Sequence, residues 1–510
     1  MNIVNNNEKT FISPILEDIF NAIPKNNSLT NSNKKLLEKA FYFVKNAHKD
    51  QFRNSGEPYF NHLVYTAINI AKQNMDIDTI VAGLLHDTLE DTKITEEEIE
   101  KEFGKEILFL IQGVTKLGTI KYKGVERHVE SMRKFFIAMA EDIRVVVIKL
   151  CDRLHNISTL EYLRKDKAER IAIETLEIHA RLADRIGMGR LKGELEDYAF
   201  PYAYPKDYEK VKTMFEETKS SSENYLLNIL EKVKVELKIF EINFIKIDYR
   251  LKHLYSLYEK LKKHNWDIQK IYDIAAMRII VNDIPTCYQV LGVIHGLYKP
   301  VPQRFKDYIA IPKPNGYQSL HTTVFDGEGG SFEVQIRTLK MHEEAEFGIA
   351  SHLLYKEIGD SKNINNRYKK KKIKNIGEKI SWTKDLLKSQ ETSPNKDFLK
   401  NIKEEFLDKK LFVHTPKGDV IEMVNGSGVI DFAYNIHSDI GNHIAGAVVN
   451  GKLVSLSTKL KDRDIVEIIT KEDAKPSRKW LDYAYTNLAK RHIRAYLKEY
   501  GGTLDRFFIK

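Results

Sequence analysis

VPQRFKDYIAIPKPNGYQSLHTTVFDGEGGSFEVQIRT, residues Val301 to Thr338, closes on a strict alternation. In SFEVQIR, Glu333, Gln335 and Arg337 fall on one face of a strand and Phe332, Val334 and Ile336 on the other, because successive strand side chains point to opposite sides. One face is core and the other is chemistry or solvent. Ahead of it Arg304, Lys306, Lys313, Asn315, Tyr317, Gln318 and His321 are spread over a loop broken by Pro312, Pro314 and Gly316. Cations mixed with amide, hydroxyl and imidazole groups suit a polyphosphate, and Tyr317 can stack on a base. A solvated strand beside a basic loop would show the same spacing.

Working upstream, IDYRLKHLYSLYEKL puts Arg250 and Lys252 ahead of a helix, with Ser256 one turn in. IYDIAAMRIIVND then reads as a buried strand entered at Asp273. Strands alternating with helices predict an α/β, nucleotidyltransferase-like domain with a mixed sheet. Asp273 on one strand and Glu333 on another make a carboxylate pair for one Mg ion.

Further upstream, Asn33 to Phe200 reads almost wholly as amphipathic helices. In TIVAGLLHDTLEDT, His86 and Glu90 are four apart, as are Asp87 and Asp91, so both pairs are expected to stack along one helix. That gathers three carboxylates and an imidazole into about two turns. His62 lies upstream in YFNHLVYTAINIA, and Asp152, Asn156 and Thr159 share a helical face in KLCDRLHNISTL. His155 sits off that face and reads as structural.

These words have a familiar order. RFKDYIAIPKPNGYQSLHTTV, FEVQIRT and MHEEAEFGIASH resemble the synthetase domain of the RelA/SpoT homologue family, which makes and degrades the alarmone (p)ppGpp. QFRNSGEPYFNH, LLHDTLEDT, GVTKL, IKLCDRLHNISTL and GELEDYAF resemble the hydrolase half of the same family, an HD phosphohydrolase domain. The resemblance implies that His62, His86, Asp87 and Asp152 hold Mn2+ or a similar divalent ion. Glu90 and Asp91 would position and deprotonate water, while Arg53, Ser55, Asn156 and Thr159 line the guanosine and phosphate side.

For the synthetase it implies transfer of the β,γ-pyrophosphate of ATP to the ribose 3′-hydroxyl of GDP or GTP. Glu333 would be the general base and Asp273 the principal Mg2+ ligand. Arg250, Lys252, Arg304, Lys306 and Lys313 would neutralise donor phosphates. Tyr317 would stack on the guanine with Asn315, Gln318 and His321 around it, and Ser256, Gln335 and His342 complete the set. RFKD at Arg304 to Asp307 is the basic form found in bifunctional members. The chain departs from the family at Arg181, Asp184 and Gly193, where Pro, His and Trp are usual, and at Tyr249, Leu251 and Leu353. The first three read as packing or domain-contact positions.

Past Gly359 the chain is charged and Asn-rich, then helical, and from Lys410 the period becomes that of strands. LFVHT, VIEMV, AGAVVNGKLVSL with an Asn450-Gly451 hairpin turn, and DIVEIIT make a small β-grasp pattern resembling the TGS domain. There the resemblance implies that His437 contacts the acceptor end of uncharged tRNA. PSRKWLDYAYTNLAKRHIRAYLKEY resembles the opening helices of the family's next region. With the sequence ending at Lys510, sensing through later modules, an ACT domain among them, is expected to be absent.

The expected organisation is therefore a multidomain α plus α/β chain. An all-helical HD hydrolase domain spans 1–200, a helical bridge 201–240, the synthetase domain 241–358, a basic linker with helices 359–408, the TGS domain 409–471, and a truncated helical start 472–510. Among 510 residues, 42% hydrophobic and 30% charged describe a soluble globular chain. The balance of 81 basic and 72 acidic residues, net +9, is mild, compatible with anionic nucleotides and no argument for DNA. Two cysteines, Cys151 and Cys287, exclude a disulfide framework and a cysteine zinc site. No apolar run reaches the length of a membrane span and no leader precedes Thr10, so a cytoplasmic protein is expected. The alternative functional readings are a chain that is predominantly a hydrolase with a weak or regulatory synthetase domain, and a nonenzymatic nucleotide-binding regulator of ribosomes.

Overall fold

The computed structural model describes residues 2–6, 9–24, 29–118, 137–138, 141–271, 274–313, 315–327, 330–348 and 410–500. The linker expected at 359–408, Leu353 and Asp273 lie outside them. The chain divides into two compact units, Met1–Glu391 and Thr392–Lys510.

The first unit opens on a hairpin of β1 (Asn2–Asn6) and β2 (Lys9–Ser13). Helices follow: α1 (Leu16–Ala22), α2 (Asn31–Ala47), α3 (Tyr59–Lys72), α4 (Ile77–Leu85), α5 (Thr88–Asp91), α6 (Glu96–Phe103), α7 (Lys105–Gly118), α8 (Ile143–Ser158), α9 (Lys165–Glu174), α10 (Ala180–Arg185) and α11 (Gly189–Ala203). Their starts are fixed by side chains that take up orphan N–H groups. Thr30 accepts from Asn33, Asp76 from Thr79 and Asp142 from Arg144. Helices α3, α4 and α8 are apolar on most sides, and Leu63, Val64, Ala67, Ile80, Leu84, Val146 and Leu150 are wholly buried where they meet. Cys151 is buried as a free thiol in the same core.

One sequence expectation fails here. His86 to Asp91 is not a single helix: α4 ends at Leu85, His86 and Asp87 form a turn, and α5 starts at Thr88. The His86 imidazole Nδ1 donates to the carbonyl of Gly83 (2.8 Å), turning the ring back onto the end of α4. Asp87 takes the N-cap place of α5 with φ −95° and ψ −1°. Both residues keep near-helical dihedrals, which is why periodicity runs through the break.

The bridge is α12 (Pro205–Ile239), one helix through its run of serines. It belongs to two cores. Val211 and Phe215 pack with Phe200 and with Leu257, Tyr258 and Leu261 of α13 (Leu254–Lys263). Ile229, Leu230, Val233 and Leu237 pack under a five-stranded sheet. That sheet comprises β3 (Lys246–Leu251), β4 (Ala275–Val281), β5 (Lys306–Asp307), β6 (Leu320–Phe325) and β7 (Ser331–Thr338), in the order β3-β4-β7-β6-β5. Only β4 and β7 run parallel, so the sheet is mixed as expected. Helix α14 (Ile284–Leu297), capped by Asp283, covers the apolar face, and α15 (Leu339–Phe347), capped by Thr338, follows β7.

The second unit pairs β8 (Lys410–His414) with β9 (Val420–Val424), and β10 (Ile444–Val449) with β11 (Lys452–Val454) and β12 (Val466–Thr470). Asn450 and Gly451 have φ of 50° and 77°, the left-handed pair that a tight hairpin turn requires. Helices α16 (Val429–Ile436), α17 (Ser438–Asn442), α18 (Trp480–Tyr483) and α19 (Asn487–Tyr500) complete it. Among the described residues, 472–500 are not a separate body: Trp480, Ala489, Ile493 and Leu497 share one core with Val413, Phe432 and Ala447.

Candidate active sites

Three segments converge in the helical domain. His62 comes from α3, His86 and Asp87 from the turn between α4 and α5, and Asp152 from α8. Ligand atoms of His62, His86 and Asp87 all lie within 4.8 Å of one another. The Asp152 carboxylate closes the group, 3.3 Å from His62 Nε2 and 3.9 Å from His86 Nε2.

Proton placement shows what this cage is suited to hold. A guanidinium only donates, so Arg53 Nη1, 2.9 Å from His155 Nδ1, makes that nitrogen an acceptor. His62 Nδ1, 2.8 Å away, must then be the donor, which turns its Nε2 lone pair toward Asp87 and Asp152. His86 likewise spends its Nδ1–H on Gly83. Its buried Nε2 has no hydrogen-bond partner, although Asp87 Oδ2 is 3.1 Å away. Two imidazole lone pairs and two carboxylates facing one point, close but misaligned for hydrogen bonds, fit a divalent cation.

The charges agree. Burial opposes ionisation of Asp87 and Asp152, but His86 beside the first and Lys149 beside the second hold both carboxyls well below the usual carboxylate range. Burial also disfavours charge on His86, yet Asp87 outweighs it and lifts the imidazole to about 9. The cage asks for a positive charge at that nitrogen. Tyr59 donates to Asp87 Oδ2 (2.7 Å), and Lys149 to Asp152 Oδ2 (2.7 Å), fixing the carboxylates from behind.

Beside the cage lies a cavity of about 270 Å³ lined by Arg53, Ser55, Asp152, Asn156 and Thr159, which brings the predicted substrate residues together. Arg53 Nη2 donates to Asn156 Oδ1 (2.7 Å), and Asn156 Nδ2 to Asp152 Oδ1 (2.5 Å). Burial, then the Asp87 charge, raises the Glu90 carboxyl. The carbonyl of Asp91 takes the Gln51 amide (2.6 Å). Lys149, Arg153 and Lys167 also line the cavity and were missed in the sequence, where each passes for a solvated cation on a helix. His155, read in the sequence as structural, stands one step from the cage, its Nδ1 against His62 and Arg53.

The second cluster covers the polar face of the sheet. The alternation read from SFEVQIR holds: Phe332, Val334 and Ile336 are buried in the core, and Glu333, Gln335 and Arg337 point the other way. Register puts Arg250, Ala276, Glu333 and Thr323 in one cross-strand row, and Arg278, Gln335, His321 and Lys306 in the next. Tyr317 Oη donates to His321 Nε2 (2.7 Å), and His321 Nδ1 donates to Glu333 Oε1 (2.8 Å), which also receives Gln335 Nε2 (3.0 Å). Burial keeps His321 neutral despite Glu333, as that chain requires. Glu333, His321, Arg304 and Lys306 line a cavity of about 240 Å³ together with Lys260, Lys263, His264 and Lys270. The last four were missed: Lys260 and Lys263 lie on α13, which reads as an ordinary amphipathic helix, and His264 and Lys270 fall in the polar stretch just after it.

Other predicted residues lie around this centre. Lys313 sits 4.7 Å and 4.8 Å from the ring centroids of Tyr308 and Tyr317, and burial lowers its ammonium. Asn315 caps its own turn by accepting from Tyr317 N, while Gln318 donates to the carbonyl of Ile309 and ties the loop. Lys252 follows β3, its N–H on Ile274 O, and Ser256 is in the first turn of α13. Arg250 is drawn away from the Glu333 cavity: Glu346 Oε1 is 3.6 Å from it and gathers Arg278 and Arg337 as well. His342 joins that knot through Arg337 Nη2 (2.7 Å), its imidazole lowered to about 4 by burial and Arg337. His437 stands exposed in the second unit, accepting from Asp439 N.

The chain thus joins an HD domain to a nucleotide-type mixed-sheet domain and a small strand domain. An HD domain matches residues 40–189, a region found in RelA/SpoT proteins 249–360, and a TGS domain 411–470. The chain is 46% identical over 465 residues to a guanosine-3′,5′-bis(diphosphate) 3′-pyrophosphohydrolase of Aquifex aeolicus, covering 91% of this chain and 64% of that protein. It is 42% identical over 469 residues to a GTP pyrophosphokinase of Myxococcus xanthus, covering 91% and 60%. A bifunctional (p)ppGpp synthase/hydrolase SpoT of Escherichia coli is 40% identical over 466 residues, covering 91% and 65%. The chain belongs to the RelA/SpoT family, and it spans under two thirds of the length of these curated relatives.

Proposed function

We propose that the chain is a bifunctional alarmone enzyme, hydrolysing (p)ppGpp to GDP or GTP and pyrophosphate at the helical site and making it from ATP and GDP or GTP at the sheet. The observation that carries this reading is the presence, in one unit, of a cation cage beside a basic cavity and of a carboxylate, Glu333, inside a second basic cavity. On this reading His62, His86, Asp87 and Asp152 hold a divalent ion, Mn2+ by the mixed donor set. Such an ion, when bound, would make a nearby water more acidic. Glu90, with its raised carboxyl, takes the water's proton with Asp91 beside it, and Arg53, Ser55, Asn156 and Thr159 seat the nucleotide.

At the sheet, Glu333 accepts the proton of the ribose 3′-hydroxyl as that oxygen attacks the β-phosphorus of ATP, and AMP leaves. Arg304 and Lys306, with Lys260, Lys263 and Lys270, take the charge that develops on the donor phosphates. Arg250, Lys252 and Lys313 are further cations for the donor phosphates with Ser256 near them, Tyr317 stacks on the acceptor guanine with Asn315, Gln318 and His321 around it, and Gln335 and His342 support them. Glu333 would be one Mg2+ ligand and Asp273, which lies outside the described residues, the other. Nucleotide substrates imply a cytoplasmic setting, and exposed His437 is the residue that a tRNA end would meet.

The test uses purified protein with ATP, GDP and Mg2+, and separately with ppGpp and Mn2+, beside Glu333→Gln and Asp87→Ala. Each variant is expected to lose its own reaction by at least about a hundredfold and keep the other. A wild type that hydrolyses but never synthesises removes the synthetase half of the reading.

A further inference from the structure

A chain of contacts crosses from the helical domain to the sheet through positions that the proposed chemistry leaves unused. Asp197 lies on α11, the last helix of the HD-type domain. Its Oδ2 is 2.7 Å from His253 Nδ1, and its Oδ1 accepts the N–H of Tyr255 at 3.2 Å, capping α13 from another element. The opposite ring nitrogen, His253 Nε2, is 3.2 Å from Arg250 Nη2. Arg250 is anchored on its far side by Glu346 Oε1, 3.6 Å from Nη1.

The protonation pattern along this line follows from what each group can do. Arg250 can only donate, so His253 Nε2 accepts and its Nδ1 carries the proton given to Asp197. Asp197 therefore fixes the tautomer and the ring plane of His253, and His253 fixes one edge of the guanidinium. The ring has room because of Gly193, one turn before Asp197: a Cβ there would fall on the His253 imidazole. Gly193 is the position where a bulky Trp is usual in the family resemblance. In this chain the same space is filled from the partner element by His253.

We propose that Asp197 and His253 are positioning residues for Arg250, so that a helix of the hydrolase-type domain sets the aim of a phosphate-binding arginine in the synthetase-type site. The proposal rests on the reading of Arg250 as a group that binds the donor nucleotide. A guanidinium held on two edges meets a phosphate bidentately, whereas one held only by Glu346 swings toward that carboxylate.

The experiment measures steady-state synthesis for Asp197→Asn, Arg250→Lys and the double variant, with ppGpp hydrolysis, melting temperature and calorimetric binding of a non-hydrolysable ATP analogue alongside. Asp197→Asn keeps an oxygen for Tyr255 N and loses acceptance from His253. It is expected to raise KM for ATP about tenfold, the order expected when one hydrogen bond to a charged group is lost. KM for GDP and the rate of ppGpp hydrolysis should stay within about twofold, and the substitution should add nothing in the Arg250→Lys background. His253→Ala should reproduce the same split.

An unchanged KM for ATP overturns the proposal, as does an equal loss in the Arg250→Lys background or a parallel fall of both reactions with the melting temperature. If Arg250→Lys synthesises normally while Glu333→Gln does not, Arg250 is misassigned and the relay falls, with the two-site reading intact. If Glu333→Gln also synthesises normally, the assignment of synthesis to the Glu333 site fails. Analogue binding then decides the relay alone: weaker binding by Asp197→Asn upholds it and equal binding overturns it.

Discussion

His155 orients the cage without belonging to it. It stacks on Tyr65, with ring centroids 5.1 Å apart, and its Nδ1 receives both His62 and Arg53. Burial, with His62 and Arg53 nearby, holds the imidazole well below its usual value, so it stays neutral and able to accept. His155→Phe preserves the stack and deletes the acceptor. It is expected to lower ppGpp hydrolysis and Mn2+ affinity by about 10-fold to 100-fold, the range for groups that orient a metal-bound histidine, and to leave synthesis unchanged. Calorimetric Mn2+ titration checks it, and undiminished affinity would show that His62 needs no orienting partner. In the sequence His155 reads as leaving the Asp152 face, although, three positions on, it is a neighbour of Asp152 along the helix. The sequence did not disclose the partner, because His62 is 93 positions away and no periodicity reports a contact between helices.

At the scale of elements, legibility follows the length and regularity of the pattern. The alternation in β7 placed Glu333 and Gln335 correctly because a strand has a period of two and one face was apolar throughout. The turn at His86 and Asp87 escaped because its dihedrals stay near helical values, and Lys260, Lys263, His264 and Lys270 escaped because a cation in a cavity and a cation in solvent look alike in sequence. Helix α11 carries a further consequence. Glu196 is buried, which lifts its carboxyl to about 7 despite Lys192 at 3.8 Å, and Asp184 and Asp197 add to the rise. A carboxyl with its folded value above the ordinary 4.5 binds a proton on folding, so its contribution is complete below that value and lost as pH rises through about 7. Glu196→Gln is therefore expected to remove part of the fall in stability between pH 5 and pH 8, on the order of 2 kcal/mol. Thermal melts of both proteins across that range test it, and equal slopes would count against a buried, proton-binding Glu196.

At the scale of the molecule, the organisation that matters is which parts melt together. The helical domain and the sheet domain approach closely enough that a Cβ on Gly189 would sit 2.7 Å from the carbonyl of Ala345, and Asn315 Nδ2 reaches Asp184 O at 3.5 Å. With α12 in both cores, they form one compact unit, whereas the described residues of the second unit, 410–500, have their own core. That smaller core is pinned by Asp431, buried, which accepts from Gly428 N, Tyr485 N, Thr486 N and Thr486 Oγ1 and so ties α16 to the segment before α19. Calorimetry of the full chain should resolve two transitions. Mn2+ at about 100 times its Kd should stabilise the larger by about 2.7 kcal/mol and leave the smaller in place, and a chelator should reverse this. Asp431→Ala should do the converse, lowering only the smaller transition by about 2 to 4 kcal/mol because four donors lose a buried carboxylate together. Because the cage and the sheet share the larger unit, the Mn2+ shift should also protect the amides of β4 and β7 from exchange. If Mn2+ protected only the helices around His62 and His86, the cage and the sheet would be thermodynamically separate, and any effect of one on the other would have to pass through local contacts such as Asp197 with His253 rather than through shared stability.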